Sequence, residues 1–230
     1  MIEPFPNVRP FLPAQLRWRV IETRQETDAL LGQPSDRFNA DGGGYVVASL
    51  RRMKVHDPAH HRAIRAMALS LRGGQLVSVP IFDPARIASP VGIVPYADGV
   101  THSDGTGFQS WSVQAVLEEP VALRDDEALV RVTSGHDLDV GVWFSLWRGV
   151  ERGDEAHMAS KVWNLGGGLW RMRIGPQFRQ GHAAGTPLNF DRPCCTMKLK
   201  DPDGEMWPEI DRTLGGHASA YFEEAAIRTS

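Results

Sequence analysis

Three histidines close together in the chain are the first candidates for chemistry. His56, His60 and His61 lie just before and inside a segment whose Asp57 and Pro58 are typical of a helix start. His56 therefore precedes the helix and does not share a helix face with His60. No partnered cysteine or carboxylate supplies the ligand spacing of a zinc site. The pattern favours solvated histidines at a helix terminus, and we predict no metal and no cofactor.

Acidic segments and glycine turns provide no catalytic motif either. Residues 201–205 resemble a calcium loop only in part, because the third acidic position and the distant glutamate of an EF-hand are missing. Carboxylates at 118–119 and 125–127 are of the type that glycosidases pair, but acidic residues in a loop between strands favour simple solvation. The glycine turns at 105–107 and 166–168 lack the Gly-Lys-Ser/Thr of a phosphate loop. No nucleophile elbow occurs, and we predict a protein without enzyme activity.

Two groups of residues remain as candidates, and the first consists of arginines that alternate with apolar residues along predicted strands. Arg17 and Arg19 alternate with apolar residues in one predicted strand, and Arg171 and Arg173 alternate with Trp170 and its apolar neighbours in another. Period-two alternation predicts one buried face and one wet face. The four arginines therefore face water or a partner, and we predict that they contribute subunit contacts or line a lumen.

Two tryptophans form the second group. Trp143 and Trp147 alternate with Val142, Phe144 and Leu146, which places both indoles on the opposite strand face. Aromatic side chains on a second face stack on sugar rings or anchor protein interfaces. Burial by another part of the chain is the alternative, and it stays open at this point.

Composition and charge exclude several classes of partner. The chain has 230 residues, 42% of them apolar, with a formal net charge of −3 of mixed sign, so no footprint for a nucleic acid is expected. No apolar stretch approaches the length of a membrane span, and the proline-broken N-terminus does not resemble a signal peptide. The only cysteines, Cys194 and Cys195, are adjacent, which favours two reduced thiols and a reducing compartment.

Strand patterns dominate the chain and surround a single helix at 58–72. The fold class is therefore mainly β with one helix. Few strands precede residue 84, and two more follow the loop after 186, so one domain would need both ends of the chain to close its core. We predict an outer β domain from 1–84 plus 187–230, with an inserted small β-barrel or sandwich at 85–186. One continuous β structure is the alternative.

Several short motifs together carry a resemblance to a known family. They are Leu71-Arg72-Gly73, Phe82-Asp83-Pro84, Gly166-Gly167-Gly168, Ile174-Gly175-Pro176, Gly185-Thr186-Pro187 and Pro193-Cys194-Cys195-Thr196-Met197. In this order, after the helix, they resemble a family of tail proteins from tailed bacteriophages and prophages. The resemblance covers most of residues 45–225 and departs from the family pattern at Gly74, where a second basic residue is expected.

The resemblance implies a structural part of a virion tail, similar to a distal tail or baseplate-hub protein. Such proteins combine a tail-tube-like outer domain that forms a ring, usually a hexamer, with an inserted galectin-like or OB-like barrel. The implied partners are further copies of the chain, the tail tube protein and the hub proteins. The implied location is the virion tail, assembled in the cytoplasm of the bacterial host. A carbohydrate-binding β module that attaches to the host surface is the alternative from a different functional class.

Overall fold

The computed structural model is mainly β, which confirms the predicted class of strands with a single helix. It describes residues 2–4, 13–21, 24–26, 37–39, 44–55, 58–72, 74–81, 91–94, 108–110, 113–135, 137–191, 193–200, 209–210 and 216–225. The strands are β1 (Glu3–Pro4), β2 (Pro13–Ile21), β3 (Arg24–Glu26), β4 (Arg37–Asn39), β5 (Tyr45–Val55), β6 (Leu76–Pro80), β7 (Val91–Val94), β8 (Phe108–Ser110), β9 (Gln114–Leu117), β10 (Glu127–Ser134), β11 (Trp143–Trp147), β12 (Asp154–Gly166), β13 (Leu169–Gly175), β14 (Pro187–Asn189), β15 (Cys194–Leu199), β16 (Glu209–Ile210) and β17 (Gly216–Glu224). Helix α1 (Pro58–Ser70) lies between β5 and β6.

The chain divides into two compact units. We call the first the sheet unit, which contains Met1–Ile81, Trp147–Glu155 and Cys194–Ser230, and the second the barrel unit, which contains Phe82–Leu146 and Ala156–Pro193. This division differs from the predicted boundaries of 85 and 186 in three places, the first being that the barrel unit begins at Phe82. Residues 147–155 belong to the sheet unit, and residues 187–193 stay with the barrel unit because β14 is one of its strands.

The sheet unit is built on seven strands in the order β1-β6-β15-β17-β5-β2, with β16 also paired to β17. Two neighbouring strands of this sheet, β6 and β15, run antiparallel, with Val77 opposite Met197 and Val79 opposite Cys195. These four side chains are buried, as strand alternation requires of one sheet face. The barrel unit's residues lie in the chain between these two paired strands.

Helix α1 contributes a buried stripe to the sheet unit. Ile64, Met67 and Ala68 recur at helical spacing and are buried, and Leu71 beyond the helix end is buried as well. His61 lies one turn before Ile64 on the same face and is only 7% exposed, so the prediction that it is solvated was wrong. Among the residues that the structure describes, the single helix lacks the length and the apolar character needed to cross a lipid bilayer.

The barrel unit is a closed barrel of six strands in the order β10-β13-β12-β11-β14-β9. Its core includes Phe144, Phe178 and Met172, all with at most 1% of their surface exposed. Trp170 and Ile174 flank Met172 on β13 and are buried too, which confirms the alternation read from the sequence. A barrel therefore accounts for the short, regularly spaced strands in this part of the chain.

Candidate functional site

A basic concave surface of about 540 Å³ lies on the sheet unit. We call it the basic concavity. Its lining residues are Arg17, Arg19, Ile21, Val47, Ala48, Ser49, Arg51, Lys200, Tyr221 and Phe222. Four of these carry a positive charge and none carries a carboxylate, although the whole chain has a net charge of −3. The positive charge is thus a local feature of the fold.

The strand register brings these residues together from distant parts of the chain. Arg17 on β2 lies opposite Ser49 on β5, and Ser49 lies opposite Tyr221 on β17. Arg19 lies opposite Val47 on the same face. Residues i and i+2 of a strand are roughly 6.5 Å apart, so both guanidinium groups reach the same volume of solvent.

Arg51 is held in position on this surface by two neighbours. Its Nε donates a hydrogen bond to Ser49 Oγ at 3.2 Å, and its guanidinium carbon lies 5.5 Å from the ring centroid of Tyr221. Both contacts orient the cation, the second through the negative face of the ring. Arg52 follows with a positive φ of 53°, where the pairing of β5 with β17 shifts register between Ala218 and Ala220. This bulge leaves both Arg51 and Arg52 exposed, which strict alternation would not allow.

Lys200 completes the basic concavity from the end of β15. Its backbone N–H donates to the carbonyl of Tyr221 at 2.8 Å, which fixes the chain beside that ring. The acidic residue next along β17, Glu223, is not among the lining residues and pairs with Lys198, Nζ to Oε1, at 3.1 Å. Within the described part of the chain, Arg17, Arg19 and Lys200 have no ion-pair partner.

The other two predicted arginines lie on the outside of the barrel unit and do not join this surface. Arg173 is paired within the chain, with Nη2 and Nε at 2.9 and 3.0 Å from Asp126 Oδ2. Arg171 is exposed and lies opposite Trp163 on β12. Trp163 is 42% exposed, and nearby Leu165 is exposed as well. Arg171 and Trp163 therefore form a cation and indole pair of neighbours on an outer strand face.

Sequence reasoning missed Trp163, although a signal was available. The segment 158–165 reads as a strand, and alternation places Trp163 on the same face as Lys161 and Leu165. Only the register with β13 shows that its neighbour is Arg171. The charged Lys161 on the same strand face, which indicates contact with solvent, was the available clue.

The two predicted tryptophans differ in their exposure to solvent. Trp143 is 8% exposed, so its indole cannot stack on a sugar ring, and this part of the prediction was wrong. The physical reason is that β11 is buried on both sides from Trp143 to Leu146, with Ser145 completely buried between apolar neighbours. Alternation predicts a wet face only where one side of a strand meets solvent. Trp147 is 54% exposed and remains available for a contact.

A buried ion pair lies in the segment 147–155 of the sheet unit. Arg148 Nη1 is 4.0 Å from Glu155 Oε2, and the two side chains are only 4% and 0% exposed. Arg148 Nη2 also donates to the carbonyl of Arg152 at 2.9 Å. The chain turns tightly between Arg148 and Arg152, and this turn includes Gly149 and ends at Gly153, both with positive φ.

Asp154, Ser78 and Cys194 form a half-buried polar cluster nearby in the sheet unit. Ser78 Oγ donates to Asp154 Oδ2 at 3.3 Å, and the backbone N–H of Asp154 donates to Thr196 Oγ1 at 2.9 Å. Burial raises the pKa of Asp154, and Ser78 and Arg148 oppose that rise in part. Burial raises the pKa of the Cys194 thiol, and the neighbouring charge of Asp154 raises it further. Such a thiol is a poor nucleophile, so the cluster is not arranged for covalent catalysis.

Metal binding has no support in the described ranges. Among those residues, no group of three or more histidine, cysteine, aspartate or glutamate side chains is placed to hold a metal ion. His56 and residues 201–205 lie outside the described residues, so the predictions made for them stay predictions.

Comparison with known proteins adds no assignment. No protein-family model matches this chain. No curated protein matches it in sequence.

Proposed function

We propose that this protein is a structural component of a bacteriophage tail, a ring-forming distal tail or baseplate-hub protein that joins the tail tube to the tail tip. The motifs that resemble tail proteins are the origin of this proposal. In it, the sheet unit corresponds to the tail-tube-like outer domain, and the barrel unit to the inserted galectin-like or OB-like domain. The protein acts in the virion tail and is assembled in the cytoplasm of the host.

The observation that supports the proposal most is the insertion itself. Strands β6 and β15 are antiparallel neighbours over Leu76–Pro80 and Cys194–Lys198, yet most of the residues between them in sequence belong to a second unit that contains a closed barrel. A sheet completed by both ends of the chain and interrupted by a barrel is the organisation that the resemblance implies. Barrels occur in proteins of many unrelated functions, so a barrel alone does not indicate a tail protein. The order of the motifs along this architecture is what makes the insertion support the proposal.

Ring formation assigns roles to the exposed arginines. Arg17 and Arg19 would contact a neighbouring copy or line the lumen of the ring, and Arg171 would contact a neighbour together with Trp163. Arg173 contributes less, because Asp126 of the same chain already neutralises it. Exposed arginine and tryptophan are the residue types most enriched at protein interfaces.

Light scattering of the purified chain tests the proposal. We expect an oligomer for the unmodified protein, and we expect Arg171→Glu to shift it toward the monomer, because a carboxylate would replace a cation at the contact. Arg65→Glu, an exposed helix position, is the matched control for the change in charge. A monomer at every concentration contradicts ring formation. Imaging of intact virions with an antibody against this chain then tests the tail location.

A carbohydrate-binding module is the second candidate, supported by one observation. Trp163 presents an exposed indole beside Arg171 on the outside of the barrel unit. Sugar-binding surfaces use such indoles for stacking, with polar neighbours for hydrogen bonds. A monomer that binds glycans on an array, and loses this binding in Trp163→Ala but not in Trp147→Ala, would favour this function over the ring.

A further inference from the structure

We propose that the basic concavity is a binding site for a small ligand with at least two oxyanion groups, carboxylate or phosphate. This site includes Arg17 and Arg19, to which the tail proposal gives a subunit contact or a place in the ring lumen, but ligand binding itself needs no second copy of the chain. It consists of Arg17, Arg19, Arg51 and Lys200 around the ring of Tyr221.

The first argument is the balance of charge. Four cations line one surface of an acidic chain, and no carboxylate lies among the lining residues. Like charges that are held close together on one surface repel each other. The described residues leave Arg17, Arg19 and Lys200 without an ion-pair partner, so this repulsion is not offset within that part of the chain. An anion of charge two or more would offset it.

The second argument is size and shape. The volume of about 540 Å³ lies within the range of roughly 300–1,000 Å³ that is typical of small-ligand sites. Ile21 and Val47 add an apolar part to the lining, which suits a ligand with a carbon skeleton.

The third argument is preorganisation. Arg51 is oriented by Ser49 and by the ring of Tyr221 before any ligand arrives. A guanidinium group binds carboxylate and phosphate through two parallel N–H···O bonds, and a fixed orientation reduces the entropy that binding costs. Arg17 and Arg19, at i and i+2 of one strand, supply two further guanidinium groups. Their spacing suits a ligand whose oxyanion groups are separated.

Isothermal titration calorimetry of the full chain tests the site, with pyrophosphate and citrate as separate probes at constant low ionic strength. We expect at least one probe to bind. The double variant Arg17→Gln/Arg19→Gln should weaken binding by about tenfold or more, because hydrogen bonds to a charged partner are lost. Arg62→Gln/Arg65→Gln, two exposed helix positions, removes the same net charge and should leave binding unchanged. Lys200→Gln is the second test, at the end of a strand, should the double variant not fold by circular dichroism.

The outcomes separate the possibilities. Binding of pyrophosphate alone indicates a phosphorylated ligand, and binding of citrate alone indicates a polycarboxylate. The proposal is overturned if neither probe binds the unmodified chain. It is also overturned if the helix control weakens binding as much as the Arg17 and Arg19 variant, since binding would then follow overall charge. Light scattering on the same samples reports ring formation independently, so a failure of one proposal does not imply failure of the other.

Discussion

Replacement of Arg148 by methionine is the sharpest test of how the segment 147–155 is held in the sheet unit. Arg148 and Glu155 are almost completely buried, with Nη1 and Oε2 4.0 Å apart. At this separation, with an effective dielectric constant of about 20, the attraction between two unit charges is roughly 4 kcal/mol. Arg148→Met keeps most of the side-chain volume but leaves the carboxylate of Glu155 buried without this cation.

The expected loss is about 3–5 kcal/mol of unfolding free energy, the usual result of removing one partner of a buried ion pair. This range includes the free energy lost with the hydrogen bond from Arg148 Nη2 to the carbonyl of Arg152. A double variant, Arg148→Met/Glu155→Leu, should recover most of the loss, because the buried carboxylate is then replaced by an apolar side chain together with its cation.

Urea denaturation, monitored by tryptophan fluorescence, measures these changes in the free energy of unfolding. We expect them in the unfolding transition of the sheet unit. Arg65→Met, at an exposed helix position, controls for removal of an arginine and should change the free energy by less than about 0.5 kcal/mol. The reasoning is refuted if Arg148→Met costs less than about 1 kcal/mol, or if the double variant is no more stable than Arg148→Met alone.

Three further predictions concern the same segment. Gly153→Ala should cost about 2–4 kcal/mol in urea denaturation, because its φ is +63° and a Cβ would collide with Thr196 Oγ1. Gly149→Ala, with φ of +102° and open space around it, should cost only about 1 kcal/mol, and equal losses would contradict the clash. Burial raises the pKa of Asp154, so its contribution to the free energy of unfolding is lost as pH rises through that pKa. Asp154→Asn lacks this titration, so its stability relative to the unmodified chain should increase with rising pH. A difference in unfolding free energy that does not change with pH would contradict this prediction. Asp154→Asn should also lower the pKa of Cys194 and speed its alkylation by iodoacetamide at mildly alkaline pH, whereas an unchanged rate profile would show no coupling.

The local pattern of the chain predicted much of the fold. Strand alternation identified the buried face of β13, and the capping residues placed the start of α1 at Pro58. Both features depend on neighbours in sequence, so the sequence pattern alone is enough to find them.

Features that depend on distant residues were not predictable in the same way. Trp143 is buried because both faces of its strand are covered, and Arg173 is neutralised by an aspartate 47 residues away. The bulge at Arg52, which leaves two successive arginines exposed, arises from the shifted pairing with β17. The basic concavity likewise combines positions from Arg17 to Tyr221, and no short window of sequence contains it.

Native mass spectrometry of the purified chain tests the central claim, assembly into a ring, most directly. We predict one dominant closed assembly whose mass is an integer multiple of 25.4 kDa, with six copies as the expected number. A spectrum that contains only the 25.4 kDa monomer, at concentrations where other ring proteins assemble, would contradict the account.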